Sequence, residues 1–406
     1  MILSCKNLRL QIITDPRVLL ILLAVCEKNI VRYVLLLPTI ILGTSIPSTI
    51  LLHLLYCVLI IKCFREHNIR IYLKEIVVIL FVLLAITFSC LLYAENSKYI
   101  FDGNNIWNTI FPCLRYFIVG LVFIADEDTM DLVGKASYLA IVVELLCVLF
   151  YMMPRGLMGS DDMSRSYQLL PNVLFALNYA FNNKKFYLWV VPIIGILYLL
   201  SMGSRGPVIV TIVYIVLKFI KDSSSQNIGK VLVLTVIGIA VIVFFNSDLY
   251  TDALITLRNL LAQFGVSTRV LDLAIVGETV SHDSGRNDIY ALLLSKLAEH
   301  PLKGYGVYGE WQWIGWSAHN LYLEIMIHFG IPMGIFVLLW IVKTIFGTYF
   351  KTSNTHAKDF ILIWICYIFI RGFFGGAYLE YGMAFAIGFC INEHRQVKMR
   401  SKYAPI

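Results

Sequence analysis

The sequence predicts an all-α polytopic membrane protein with about twelve transmembrane helices and one large external loop, and three observations carry that prediction. The 406 residues are 59% hydrophobic, more apolar surface than a water-soluble chain of this size can bury. Apolar runs bounded by charges or turn residues recur along the chain, with none of the polar-apolar alternation a barrel strand requires. One segment, 247–318, is long, polar and interrupts the series.

Taken in order, the apolar runs place spans near 30–45, 46–62, 75–94, 106–125, 136–153, 169–182, 186–202, 207–220, 230–246, 320–342, 359–375 and 377–392. Helices are the expected form, because backbone groups in lipid must be satisfied within their own segment. The run 18–26 lacks a small-residue cleavage site and is followed by Glu27-Lys28, so it reads as a short membrane-associated element rather than a leader. With the N-terminus inside, most of the 33 basic residues fall on the cytoplasmic side, which sets both termini there. The acidic stretch Asp126–Asp131 runs against that pattern, although acidic residues weigh little in the orientation rule. The division is then 1–246 for the first set of transmembrane helices, 247–318 for the external loop, and 319–406 for the last helices and a cytoplasmic tail.

Composition also excludes. All nine cysteines sit at the N-terminus or within or beside apolar runs and none lies in 247–318, so no disulfide framework is expected. The net charge of +7 follows from topology and is no sign of nucleic acid. No acidic pair on the outer face has metal-ligand spacing, since Asp161-Asp162 are adjacent; neither a metal nor a cofactor is expected.

Three places on the outer face carry candidate chemistry. In SMGSRGPVIV (201–210) two spans meet at a tight turn and Pro207 falls near the start of the second, which sets Arg205 beside exposed amides at a helix N-terminus, a combination suited to phosphate. Arg205 could equally reach for lipid headgroups. In SGRNDIYALLLSKLAEHPLKGYG (284–306), Arg286 precedes a run with Ile289, Leu292, Leu293 and Leu297 at helical spacing, which predicts an amphipathic helix lying on the membrane. In SAHNLYLEIMIHFGIPMGI (317–335), Asn320, Glu324 and His328 lie within ~40° of one another down one stripe, with His328 roughly 12 Å below Asn320. Ionisable groups at that depth must face protein or a wet cavity. Glu324 and His328 could also pair at i,i+4 and serve packing alone. His319 sits at the rim, where an imidazole titrating near neutrality suits a general base. Nearby Trp311, Trp313 and Trp316 could stack on sugar faces or anchor the loop at the interface.

In this order and spacing, SRG (204–206), GR (285–286), HPLKGYG (300–306) and HN (319–320) leading a span with Gly330 and Gly334 resemble the O-antigen polymerase and O-antigen ligase superfamily of bacterial envelopes. The likeness covers roughly 185–345, with Met333 where the ligase pattern expects a glycine-like residue. It implies metal-independent glycosyl transfer from a glycan on undecaprenyl diphosphate, at the periplasmic side of the inner membrane. Arg205 and Arg286 would then stabilise the leaving diphosphate and His319 would take the acceptor proton. Asn320, Glu324 and Trp316 would orient His319 or hold sugar. The partners implied are lipid-linked glycans, the bilayer and a chain-length regulator protein. Polymerase fits better than ligase because of Met333. A lipid-linked sugar transporter would account for Arg115, Glu144 and Arg371 inside spans, but no internal repeat supports it and the polar sites cluster at one face.

Overall fold

A computed structural model of the chain describes residues 15–31, 46–67, 73–102, 105–152, 162–201, 205–222, 248–263, 268, 272, 275 and 286–402. Among these residues every regular element is helical and no strand occurs. The principal helices are α1 Pro16–Cys26, α2 Ile46–His67, α3 Leu73–Leu92, α4 Phe111–Val122, α5 Glu127–Cys147, α6 Asp162–Asn183, α7 Val190–Ser201, α8 Arg205–Asp222, α9 Asp248–Gln263, α10 Arg286–Glu299, α11 Leu321–Lys351, α12 Thr355–Ile365 and α13 Tyr381–Lys402. The spans expected at 30–45 and 230–246 lie outside the described residues. Three stretches among those described are long and apolar enough to cross a membrane: Glu75–Leu92, Glu127–Phe150 and Leu321–Lys351.

The chain divides into two units, residues 1–136 with 285–406, and residues 137–284. In the first, α4 and α13 cross at small residues: a Cβ on Gly120 would overlap the Phe385 carbonyl oxygen, and one on Gly388 the Phe117 carbonyl oxygen. Close backbone approach of this kind replaces the hydrophobic drive that lipid removes. Beneath the crossing Phe123, Phe360 and Phe389 stack with centroids 4.5–5.5 Å apart. The outward faces of α2 and α3 carry Leu54, Val58, Ile61, Phe88 and Leu91, all exposed, as lipid-facing surfaces do.

In the second unit α6 packs against α7 and α8. The buried Lys218 is held by Asn182 at 2.9 Å and by Asp222 at 3.1 Å, and Tyr214 donates to Asn178 at 3.2 Å.

The three charges that the sequence leaves inside spans each have a partner. Arg115 Nη2 donates to both oxygens of Glu27 at 2.7 Å. Glu144 accepts from Tyr198 at 3.0 Å and lies 3.7 Å from Arg165. Arg371 is ion-paired with Glu380. Internal pairing of this sort is how membrane proteins keep ionisable groups out of lipid.

Candidate functional site

The site is built around the head of α11, where Asn320 is the N-cap. Its backbone is extended (φ −148°) and its side-chain oxygen accepts from the amides of Tyr322 and Leu323, both at 3.1 Å. The amide nitrogen of Asn320 plays no part in the cap. His319 precedes it with φ 52°, a left-handed conformation uncommon for a residue with a Cβ. Tyr290 of α10 donates to the His319 carbonyl at 3.3 Å and helps hold that turn.

Arg286 opens α10, and the structure brings it and His319 together. Burial of the half-buried imidazole, with the positive charges of Arg286 and Arg371, holds the His319 pKa below its ordinary value. Its neutral form, the form a base needs, is therefore favoured. Arg205 is the first residue of α8; the expected turn at 202–204 lies outside the described residues, as does the Arg205 side chain, and the residue belongs to the second unit.

The predicted amphipathic helix is present as α10, with a correction. Leu293 and Leu297 are buried against Tyr305, Ala318 and Ile327, so the apolar face is turned onto the protein rather than laid on lipid. Of the four apolar positions named above, Leu292 stays exposed, as does neighbouring Leu294.

HPLKGYG has a definite structural task. Helix α11 is broken at Gly330 (φ 74°, ψ 167°), and two residues later Pro332 has no N–H to give the His328 carbonyl. The Ile331 amide bonds to the Pro301 carbonyl at 2.7 Å, which leaves Ile327 O without its helical partner as well. The amides of Tyr305 and Gly306 take those two carbonyls, at 2.7 and 2.9 Å. Thus the loop repairs the helix it crosses, as non-helical backbone at membrane depth requires. The approach needs glycine on both sides. A Cβ on Gly304 would sit 2.5 Å from the Gly330 nitrogen, and one on Gly330 would overlap the Leu302 carbonyl.

The same loop is fastened to the end of α3 and the turn after it. Tyr93 donates to Gly304 O at 2.8 Å, Asn96 to Tyr305 O at 2.8 Å and Val307 O at 3.0 Å, and the Val307 amide donates to Ser89 at 2.8 Å. Trp311 packs on Tyr99 and Tyr308, and Trp313 meets Tyr305 edge-on at 4.6 Å. Trp316, after the left-handed Gly315, is 52% exposed and is the one of the three left open to a ligand.

The stripe below His319 is not arranged as the alternative Glu324–His328 pair. His328 Nε2 bonds to Glu310, from the loop, and Nδ1 meets the Tyr378 hydroxyl at 2.8 Å. Glu324 is 3% exposed, accepts from the Tyr378 amide, and its second oxygen has no partner among the described residues. Three members of this region escaped the sequence reading: Glu310, Tyr378 and Arg371 in its actual setting. Glu310 ends the Gly-rich stretch GYGVYGE, which was legible as a motif, but nothing in its spacing ties it to His328.

Fold and site together define a helical membrane protein whose polar chemistry gathers at the head of one long span. Residues 190–339 match the family model described as O-antigen ligase. The match is confined to that segment and supports a likeness to the O-antigen ligase and polymerase superfamily, whose members are glycosyltransferase-like enzymes of surface-polysaccharide assembly. No curated protein and no solved structure matches the chain.

Proposed function

We propose that the chain is an O-antigen or other surface-polysaccharide polymerase, moving a growing glycan from undecaprenyl diphosphate onto a lipid-linked repeat unit. The reaction is placed at the periplasmic face of a bacterial inner membrane, on a scaffold of about twelve spans. The observation that carries the reading is His319, held towards its neutral form beside Arg286, at the head of a span inside the segment that matches the family. In the step we propose, the acceptor hydroxyl oxygen attacks the anomeric carbon as its proton passes to His319. The bond from that carbon to the diphosphate oxygen breaks, and the diphosphate leaves with its negative charge met by Arg286; the family likeness alone assigns the same task to Arg205. Guanidinium groups supply the counter-charge in this scheme, so no metal is invoked. Asn320, through its amide nitrogen, the free oxygen of Glu324 and the face of Trp316 are assigned to the sugars. A chain-length regulator is the expected protein partner.

The test is glycan length on a gel, in a strain lacking this protein and complemented with wild type or His319→Ala. For a polymerase the deletion leaves lipid A core capped with a single repeat unit, wild type restores the ladder, and His319→Ala does not while still residing in the membrane. A wild-type ladder from His319→Ala overturns the assignment of the base. The second reading, a ligase acting on lipid A core, is favoured by the description of the matched family. It would show as polymer accumulating on the lipid carrier with no repeat on the core.

A further inference from the structure

The stretch FIRGFFGGAYLEY (369–381) lies outside the family-matched segment, and the reaction scheme uses none of it. It forms the corner between α12 and α13. Arg371 is 7% exposed, ion-paired through Nη1 with Glu380, and its guanidinium lies 4.7 Å from the centre of the Tyr367 ring. The Tyr367 hydroxyl bonds to Glu380 at 3.3 Å and to the Tyr381 hydroxyl at 3.2 Å, so the pair is fixed on two sides. The corner in turn is seated on the first turn of α11. Tyr322 donates to Phe369 O at 2.8 Å, its ring meets that of Phe373 at 4.5 Å, and a Cβ on Gly372 would stand 3.1 Å from Leu321 Cβ. Leu321 and Tyr322 follow directly on His319-Asn320. The corner that carries Arg371 is therefore packed on the two residues that follow the candidate base and its neighbour.

We propose that Arg371 and Glu380 act as a positioning pair for His319: they brace the corner 369–373 against the head of α11 and fix a second positive charge, besides Arg286, within reach of the imidazole. This rests on the reading of His319 as the base. Near His319 stand Tyr290 of α10, which donates to its carbonyl, and the cations Arg286 and Arg371, the latter ion-paired with Glu380. Among them Arg286 and Arg371 are the charges that reach the imidazole. In surroundings poor in water a charge several ångströms away acts strongly, and a cation disfavours the imidazolium. Glu380, ion-paired with Arg371, offsets part of that cation's charge, so loss of one member or the other should move His319 with opposite sign.

The experiment is an NMR titration of full-length protein in nanodiscs with labelled histidine, the His319 signal being identified by its loss in His319→Gln. Arg371→Gln removes the cation and leaves Glu380, so the His319 midpoint should rise by about half a pH unit or more. Glu380→Gln leaves the cation unopposed, and the midpoint should fall. Arg371→Lys should hold it near the wild-type value. Opposite shifts are a result that loss of packing alone would not give. Should Arg371→Gln not fold, Glu380→Gln and Arg371→Lys carry the test. Shifts in one direction for both variants, or none in either, overturn the pair. Because the titration needs no substrate, it is separable from the base assignment. If the midpoint is unmoved while His319→Gln loses the glycan ladder, the pair falls and the base stands. Opposite shifts with an intact His319→Gln ladder overturn the base, and with it the pair's part in the reaction.

Discussion

The fold treats two buried glutamates of the same unit in opposite ways. Glu27 has both oxygens bonded to Arg115 at 2.7 Å and takes further hydrogen bonds from Tyr56 at 2.7 Å and Tyr116 at 2.9 Å. Glu324 accepts one backbone amide; its other oxygen is unpartnered among the described residues, and Glu310 nearby is a like charge already taken by His328. A carboxylate surrounded by matched donors fixes the packing of the elements that supply them. One left half-satisfied in the first turn of the span that follows the candidate base is expensive to keep, and such expense is tolerated chiefly where a site uses the group. The difference teaches that burial of charge in this chain has two meanings, and that partners, not depth, tell them apart.

Breaking the matched cluster should produce the largest effect. Arg115→Met strands Glu27 in the interior, with an expected loss of about 3 kcal/mol or more of stability. It should be read as a lowered melting temperature in detergent and less protein in the membrane. The added change Glu27→Gln should recover a good part of that loss, since the stranded charge is the main cost. Glu324→Gln is the counterpart. It should change stability by less than about 1 kcal/mol, because no ion pair is lost, yet shorten the glycan ladder. Equal destabilisation by the two substitutions, with wild-type glycan from Glu324→Gln, would erase the distinction.

A second way to sharpen it concerns the broken helix. Gly330 has φ 74°, and a Cβ there would run into the Leu302 carbonyl, a backbone atom with no freedom to step aside. Gly330→Ala should therefore displace the loop 301–306 and expose the Ile327 and His328 carbonyls, at a cost of about 2 kcal/mol or more. Gly347→Ala on the same helix, where a Cβ meets nothing within 4 Å, is the control and should be near neutral. Limited proteolysis in the loop should speed up in the first variant and not in the second. Equal resistance would mean that the loop does not depend on the break.

These features mark how far the sequence could be read. Helical class, the helix that begins at Arg205, the helix opened by Arg286 and the polar head of α11 were all legible, because each rests on local periodicity or capping chemistry. The motif glycines were legible as a motif but not as a repair of α11: Gly304 and Gly330 are 26 positions apart, and only the fold shows that one backbone passes through the break in the other. The alternative of a Glu324–His328 pair failed for a related reason. Spacing of i,i+4 brings two residues to one face, but Glu310 and Tyr378 come from distant chain and compete for His328 with better geometry. Arg115, Glu144 and Arg371 stood out by their cost in lipid, while their partners lay out of reach of any local pattern.

The smallest effect separates the two duties assigned to Asn320. The side-chain oxygen caps α11, and the amide nitrogen is the part assigned to sugar. Asn320→Asp keeps the capping oxygen and adds a negative charge at a helix N-terminus, where it is welcome, so stability should hold to within a few tenths of a kcal/mol. The amide donors are lost, and the glycan ladder should shorten. Asn320→Ala removes cap and donors together; it should cost about 1 kcal/mol and shorten the ladder as well. A normal ladder from Asn320→Asp, alongside a weakened one from Asn320→Ala, would assign Asn320 to the cap alone. The sugar contacts would then fall to Glu324 and Trp316, the former a buried carboxyl with an oxygen that has no partner among the described residues.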